Sequence, residues 1–108
     1  MSSLPEELAD VRVKLKANVY FDGKVVSHTI VSADGVRRTV GLIYPGSYTF
    51  NTSDAERMDI LAGSCRVKLA DAMDWTAFAA GTTFHVAAAS PFEIAVDSGI
   101  AEYLCTFG

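Results

Sequence analysis

The chain has 108 residues, half of them apolar and a fifth charged, with a net charge of −4. That length holds one compact domain, and that composition excludes a disordered tail, which combines low hydrophobicity with high charge. The acidic balance also excludes a nucleic-acid backbone binder, which needs a basic stripe to displace counterions, while leaving room for a small anion held by one or two cations.

In chain order, Met1 to Glu7 lacks a basic segment followed by an apolar run, so it does not read as a signal peptide. Leu4, Leu8, Val11 and Leu15 are spaced by three and four. They predict a helix over Leu4–Lys16, with Ser3 as its cap and Pro5 at its first position. The other reading of this segment is a tail lying against the domain or a partner.

From there the chain reads as short strands between turn signals. Val19-Tyr20-Phe21 runs into Asp22-Gly23. Strands are predicted over 24–31, 37–44, 48–51, 57–62, 64–69, 75–78, 82–86, 92–96 and 101–107. Many short strands at this spacing predict a sandwich, jelly roll or barrel. Period-two alternation puts Met58 with Ile60 on one face, and likewise Cys65 with Val67 and Leu69. Phe84 and Val86 form another such set, as do Phe92, Ile94 and Val96, then Tyr103, Cys105 and Phe107, and finally Tyr48, Phe50 and Thr52.

No apolar run approaches the roughly 20 residues of a membrane-spanning helix. Two cysteines are too few for a disulfide scaffold. The expectation is a cytoplasmic protein with two free thiols, bound to neither nucleic acid nor membrane. Cys65 and Cys105 fall on apolar strand faces and read as small core residues. His28 and His85 stand on separate strands without a His-x-His pair, so they read as structural or surface histidines rather than metal ligands. His85 alternates with inward Phe84 and Val86, which points it outward. A nucleophile elbow, a P-loop and a dinucleotide fingerprint are all missing from the sequence.

Glu56 is followed seven residues later by Gly63, and Cys65-Arg66-Val67-Lys68-Leu69 continues as a strand. This resembles the first cupin motif, a glutamate, a strand, a glycine turn and a second strand. The second motif is matched from Gly81 through Thr83-Phe84-His85-Val86 to Ser90-Pro91-Phe92. The resemblance puts Phe50 and Thr52 where the first motif carries two histidines, and Phe92 where the second carries one. Of the four usual ligands only Glu56 remains. One carboxylate cannot supply an iron site, so neither metal nor organic cofactor is expected.

At finer scale Asn18–Val25, Thr39-Val40-Gly41, Gly46–Phe50, Glu56-Arg57-Met58, Asp71–Trp75, Ala80–Val86 and Tyr103-Leu104-Cys105 follow one another in a recognisable order. Over Lys16–Gly108 this set is similar to the small, single-domain pyrimidine/purine nucleoside phosphorylases of bacteria. The resemblance implies an all-β fold, a cupin jelly-roll antiparallel β-barrel over residues 16–108, preceded by an extension over 1–15 and paired as a homodimer. It implies metal-independent cleavage of several nucleosides, with inorganic phosphate as co-substrate, to free base and pentose 1-phosphate. The alternative is a non-catalytic cupin that senses a small metabolite.

Phosphorolysis builds positive charge on the sugar ring while phosphate attacks C1′ from the opposite face. Glu56 is the candidate catalytic residue, a carboxylate turned into the bowl to accept hydrogen bonds from sugar hydroxyls and face the ring. Tyr48, Phe50, Phe92 and Tyr103 are candidates to stack on the base or reach a sugar oxygen. Arg57, beside Glu56, is the candidate for phosphate, with Arg37 or Arg38 as alternatives. Arg66 and Lys68 alternate to the outside.

Overall fold

The computed structural model describes residues 4–108. The alternating segments become eleven strands: β1 (Val11–Val13), β2 (Asn18–Tyr20), β3 (Val25–Ser32), β4 (Arg37–Ile43), β5 (Gly46–Asn51), β6 (Glu56–Ala62), β7 (Ser64–Leu69), β8 (Thr76–Ala79), β9 (Thr83–Val86), β10 (Pro91–Val96) and β11 (Ala101–Phe107). A single 3-10 turn, Phe21–Gly23, separates β2 from β3.

The helix expected over Leu4–Lys16 does not form among the described residues of that span, and its expected cap, Ser3, lies outside them. Val11-Arg12-Val13 instead pairs with Ile30–Ser32 of β3. The two β-branched valines alternate with period two and favour extended backbone. The Lys14 N–H donates to the Thr29 carbonyl at 2.8 Å, so β3 satisfies backbone groups that a helix would have satisfied internally.

All strand pairs are antiparallel and fall into two sheets. The larger runs β1-β3-β4-β11-β6-β9, with β2 also on β3, and the smaller runs β5-β10-β7-β8. Their apolar faces pack on each other. Val25, Ile43, Met58, Ile60 and Phe84 of the large sheet share one buried cluster with Tyr48, Cys65, Val67, Phe92 and Ile94 of the small one. Both thiols are free and buried, as expected of small core residues.

The structure corrects the expectation of a closed barrel, since neither sheet closes. Of the six points at which the chain passes between the sheets, two adjoin each other and ladder within each sheet instead of across. One is Gly63, between β6 and β7. The other is Ala80-Gly81, between β8 and β9. There the Ala80 N–H donates to Gly63 O at 3.1 Å, and the Gly81 N–H to Ile60 O at 2.7 Å. These bonds extend one ladder in each sheet.

Gly63 has φ +73°, and a Cβ there would run into the Ile100 carbonyl oxygen. Gly99 has a similar φ of +68° but open space around it. Gly63→Ala is therefore expected to cost about 2 kcal/mol or more, lowering Tm by roughly 10 °C, while Gly99→Ala costs only about 1 kcal/mol from the backbone conformation. Thermal unfolding of the two variants checks this, and equal losses would contradict the collision at the corner.

Candidate active site

The two sheets do not pack tightly along their whole length. A cavity of about 210 Å³ opens between them at one end. It is smaller than the roughly 300–1,000 Å³ of drug-sized ligand pockets and suits one ring system with the rest of a ligand reaching the mouth.

Its floor and one wall come from the inward faces of β3, β4, β6 and β11. On β6 the parity of the strand turns Glu56 and Met58 into the cavity. Tyr103, Cys105 and Phe107 of β11 face the same way and line it, as do Ser27 of β3 and Thr39 of β4. Across the β11–β6 ladder Phe107 pairs with Glu56, and Cys105 with Met58. The Cys105 thiol donates to Glu56 Oε1 at 3.5 Å.

Space for the Tyr103 hydroxyl is made by Gly41. A Cβ at Gly41 would stand 2.9 Å from that oxygen and 2.5 Å from the Val26 carbonyl oxygen. Nearby, Asn18 Nδ2 donates to Ser27 Oγ at 3.2 Å and to Thr29 Oγ1 at 3.1 Å. This wall is polar but satisfied, and its hydroxyls can exchange partners with a ligand.

The opposite wall is aromatic. Phe50 and Phe92 stack at 5.8 Å between centroids, and Tyr20 meets Phe50 edge-on at 6.0 Å. Phe21 packs edge-on against Phe50 at 5.3 Å. It does so from a backbone φ of +51°, followed by Asp22 at +56° and Gly23 at +90°. A bulky residue in the left-handed region carries strain, and such strain concentrates where a side chain must be aimed. Tyr20 and Phe21 remain half-exposed above the cavity.

Of the residues singled out in the sequence, Glu56, Phe50, Phe92 and Tyr103 converge on this cavity. Tyr48 and Arg57 do not. Tyr48 shares the inward face of β5, but its hydroxyl donates to the Tyr44 carbonyl at 2.7 Å, and Phe21 covers its ring at 5.0 Å. It is core beneath the aromatic wall. Arg57 is one step from Glu56 and therefore lies on the outer face of the sheet. There its Nε donates to Asp59 Oδ1 at 3.1 Å, and Thr83 Oγ1 donates to the same oxygen at 2.6 Å. Sequence reasoning passed over Tyr20, Ser27, Thr39 and Phe107 as lining residues. Phe107 was within reach, because it shares a strand face with Tyr103 and Cys105.

Burial sets the protonation of the site. It raises the Glu56 carboxyl above its ordinary range, against the opposing pull of the Cys105 thiol and the Arg37 guanidinium. Burial, with Glu56 alongside, pushes the Cys105 thiol up, and burial takes the Tyr103 phenol up to about 12. Both are protonated donors at neutral pH.

The positions matched to cupin ligands in the sequence do not fit a metal. Phe50 and Phe92 are stacked on each other, and the Thr52 hydroxyl donates to Ala87 O at 2.6 Å while accepting from the Ser90 N–H at 3.0 Å. His85 is exposed on the outer face, and His28 Nδ1 lies 3.1 Å from the Lys14 carbonyl oxygen. Glu56 is left without an imidazole beside it, whereas iron and zinc sites of this kind need several.

The model of the family described as pyrimidine/purine nucleoside phosphorylase matches residues 15–107. The chain belongs to the pyrimidine/purine nucleoside phosphorylase family. A relative from Aromatoleum aromaticum carrying that name is 51% identical over 98% of this chain and 99% of its own length. A crystal structure of a protein of unknown function from Acinetobacter sp. ADP1 is 40% identical and superposes with a TM-score of 0.91, covering 94% of this chain and 98% of that one. Bacillus subtilis oxalate decarboxylase, a cupin-like neighbour at 15% identity, superposes with a TM-score of 0.72 over 96% of this chain and 30% of its own. At that distance the likeness is one of fold alone. No helix among the described residues is long and apolar enough to cross a membrane.

A carboxyl group with a raised native pKa keeps its proton in the folded state after the unfolded chain has lost it. Stability therefore falls as pH rises from the unfolded value of about 4.3 through the raised native value. At pH 7 the Glu56 charge works against folding. Glu56→Gln is expected to unfold at a higher temperature than the native protein at pH 7, with the gap closing below about pH 4. A variant less stable at pH 7, with the gap widest there, would contradict the burial of this charge.

Proposed function

We infer that the chain is a broad-specificity nucleoside phosphorylase that works without a metal ion. The C1′–N bond of a purine or pyrimidine nucleoside breaks, a phosphate oxygen bonds to C1′, and the base leaves with a proton. What carries this reading is a cavity with an aromatic wall facing a half-buried carboxylate, in a chain of the family's length and sequence.

The parts have distinct tasks. Phe50 and Phe92, with Tyr20 above them, stack on the base. Stacking tolerates every base because each has a π-face, which suits breadth across purines and pyrimidines. Glu56 accepts hydrogen bonds from the sugar and stabilises the ring as positive charge develops in the transition state. The Tyr103 phenol, protonated across the working pH range, donates to a sugar or base oxygen. The two sheets are read here as a cupin jelly roll. The protein works in the cytoplasm as a homodimer that covers the exposed valines of the large sheet, Val13, Val19 and Val40. A specific pair would bury at least about 1,000 Å².

Incubation with a panel of nucleosides, with and without phosphate and after exhaustive chelation, tests this reading. Free base should appear from both purine and pyrimidine nucleosides only when phosphate is present, at a rate unchanged by chelation. Binding without turnover would mark a metabolite-sensing cupin, and activity lost with a stoichiometric metal would overturn the metal-free mechanism.

A further inference from the structure

Phosphorolysis requires a dianion beside C1′, yet the group that lies closest to the sugar in this account is itself an anion. A cation must therefore stand near Glu56, and the fold decides which one. Arg57 is occupied on the outer face by Asp59. Arg38 is also on that face, with its Nε donating to Thr106 Oγ1 at 3.2 Å. Arg66 is held by Asp97 at 2.8 Å, with Trp75 beneath it. Lys68 lines a separate groove on the outer side of the small sheet.

Arg37 differs from these. It lies on β4 one step past the Thr106–Arg38 pair, which brings it alongside Phe107, and Phe107 pairs in turn with Glu56. Arg37, Phe107 and Glu56 thus form a row across three adjacent strands on the inward face. Two interstrand spacings of roughly 4.8 Å put the first and last about 10 Å apart along that row. The Arg37 guanidinium lies over the Phe107 ring, 4.0 Å from its centroid. Phe107 itself lines the cavity.

Resting on the phosphorolysis reading above, we propose that Arg37 is the phosphate-binding residue, holding the dianion at the cavity mouth between Phe107 and the sugar. A guanidinium stacked on a ring keeps its N–H edges free in the plane, and that fork matches two phosphate oxygens. The fork leans on Asp54, with Nη2 to Oδ2 at 3.8 Å and both side chains more than half exposed. Such a pair is long and solvent-screened, so a dianion displaces the Asp54 carboxylate readily. Arg37 also acts on Glu56 and Cys105 through its charge, which is consistent with its place at the mouth.

The test varies phosphate at saturating inosine and measures inosine binding separately in the absence of phosphate. Arg37→Gln should raise the KM for phosphate about 10- to 100-fold, the range of one lost charge-assisted hydrogen-bonded contact, and leave inosine affinity within about twofold. Arg37→Lys should recover only part of that loss, because a point charge on a flexible stem lacks the stacked fork. Thermal unfolding shows that each variant is folded, and Arg37 is exposed enough for its loss to be tolerated. Phosphate-dependent native activity with an unchanged phosphate KM in Arg37→Gln would overturn the proposal alone. Native protein that releases base equally without phosphate would overturn the phosphorolysis reading and the proposal with it.

Discussion

The site depends on the parity of one strand. In β6 Glu56, Met58 and Ile60 share the inward face, and Arg57 and Asp59 share the outer one, where Asp59 is buried beneath Arg57 and Thr83. A slip of one residue would exchange the two sets, placing an arginine and an aspartate in the apolar interior and the Glu56 carboxylate on the outer face. Met58 and Ile60 are buried against the small sheet, which fixes the register. The same packing that makes the core therefore holds a carboxylate under an aromatic wall. Its charge works against folding, and that cost leaves the carboxylate poorly solvated and responsive to charge developing beside it.

The rest of the cavity answers that one group. The Cys105 thiol donates to the carboxylate, the Tyr103 phenol lines the same cavity in the space left by Gly41, and both are kept protonated by their own burial. Facing them, the positions that the sequence resemblance matches to cupin metal-binding histidines hold Phe50 and Phe92. Two stacked rings offer no lone pair to a metal but present a flat surface to a base. One fold thus supports two kinds of chemistry by changing what lines the bowl, and the likeness in fold to oxalate decarboxylase carries no likeness in reaction.

Much of this was legible in the sequence because strand alternation reports the inward face directly. Tyr103, Cys105 and Phe107 fell on one face, as did Phe84 and Val86, and the structure buries or half-buries every one of them. Glu56, Phe50 and Phe92 were reached through their match to positions of the two cupin motifs. What failed has local causes. The three- and four-residue spacing of Leu4, Leu8, Val11 and Leu15 imitates a helix, although Val11-Arg12-Val13 also alternates as a strand and pairs as one. Arg57 was read as a neighbour of Glu56 along the chain, when adjacency in a strand means opposite faces. Tyr48 has the right face, but Phe21 covers it, and the strained turn that aims Phe21 leaves no mark in composition beyond Asp22-Gly23. Barrel closure was invisible for a similar reason, since it depends on where the corners at Gly63 and Ala80-Gly81 send their hydrogen bonds.

The central claim is that a half-buried charge at Glu56 acts mainly in the transition state. Steady-state rates of base release from uridine or inosine by Glu56→Gln, at saturating phosphate, test it most directly. Glutamine keeps the shape and part of the hydrogen bonding but removes the charge. The account predicts a kcat lower by about 2–4 kcal/mol in activation free energy, roughly 30- to 1,000-fold, with a much smaller change in KM. A folded variant with native kcat, or one whose defect lies wholly in KM, would contradict it.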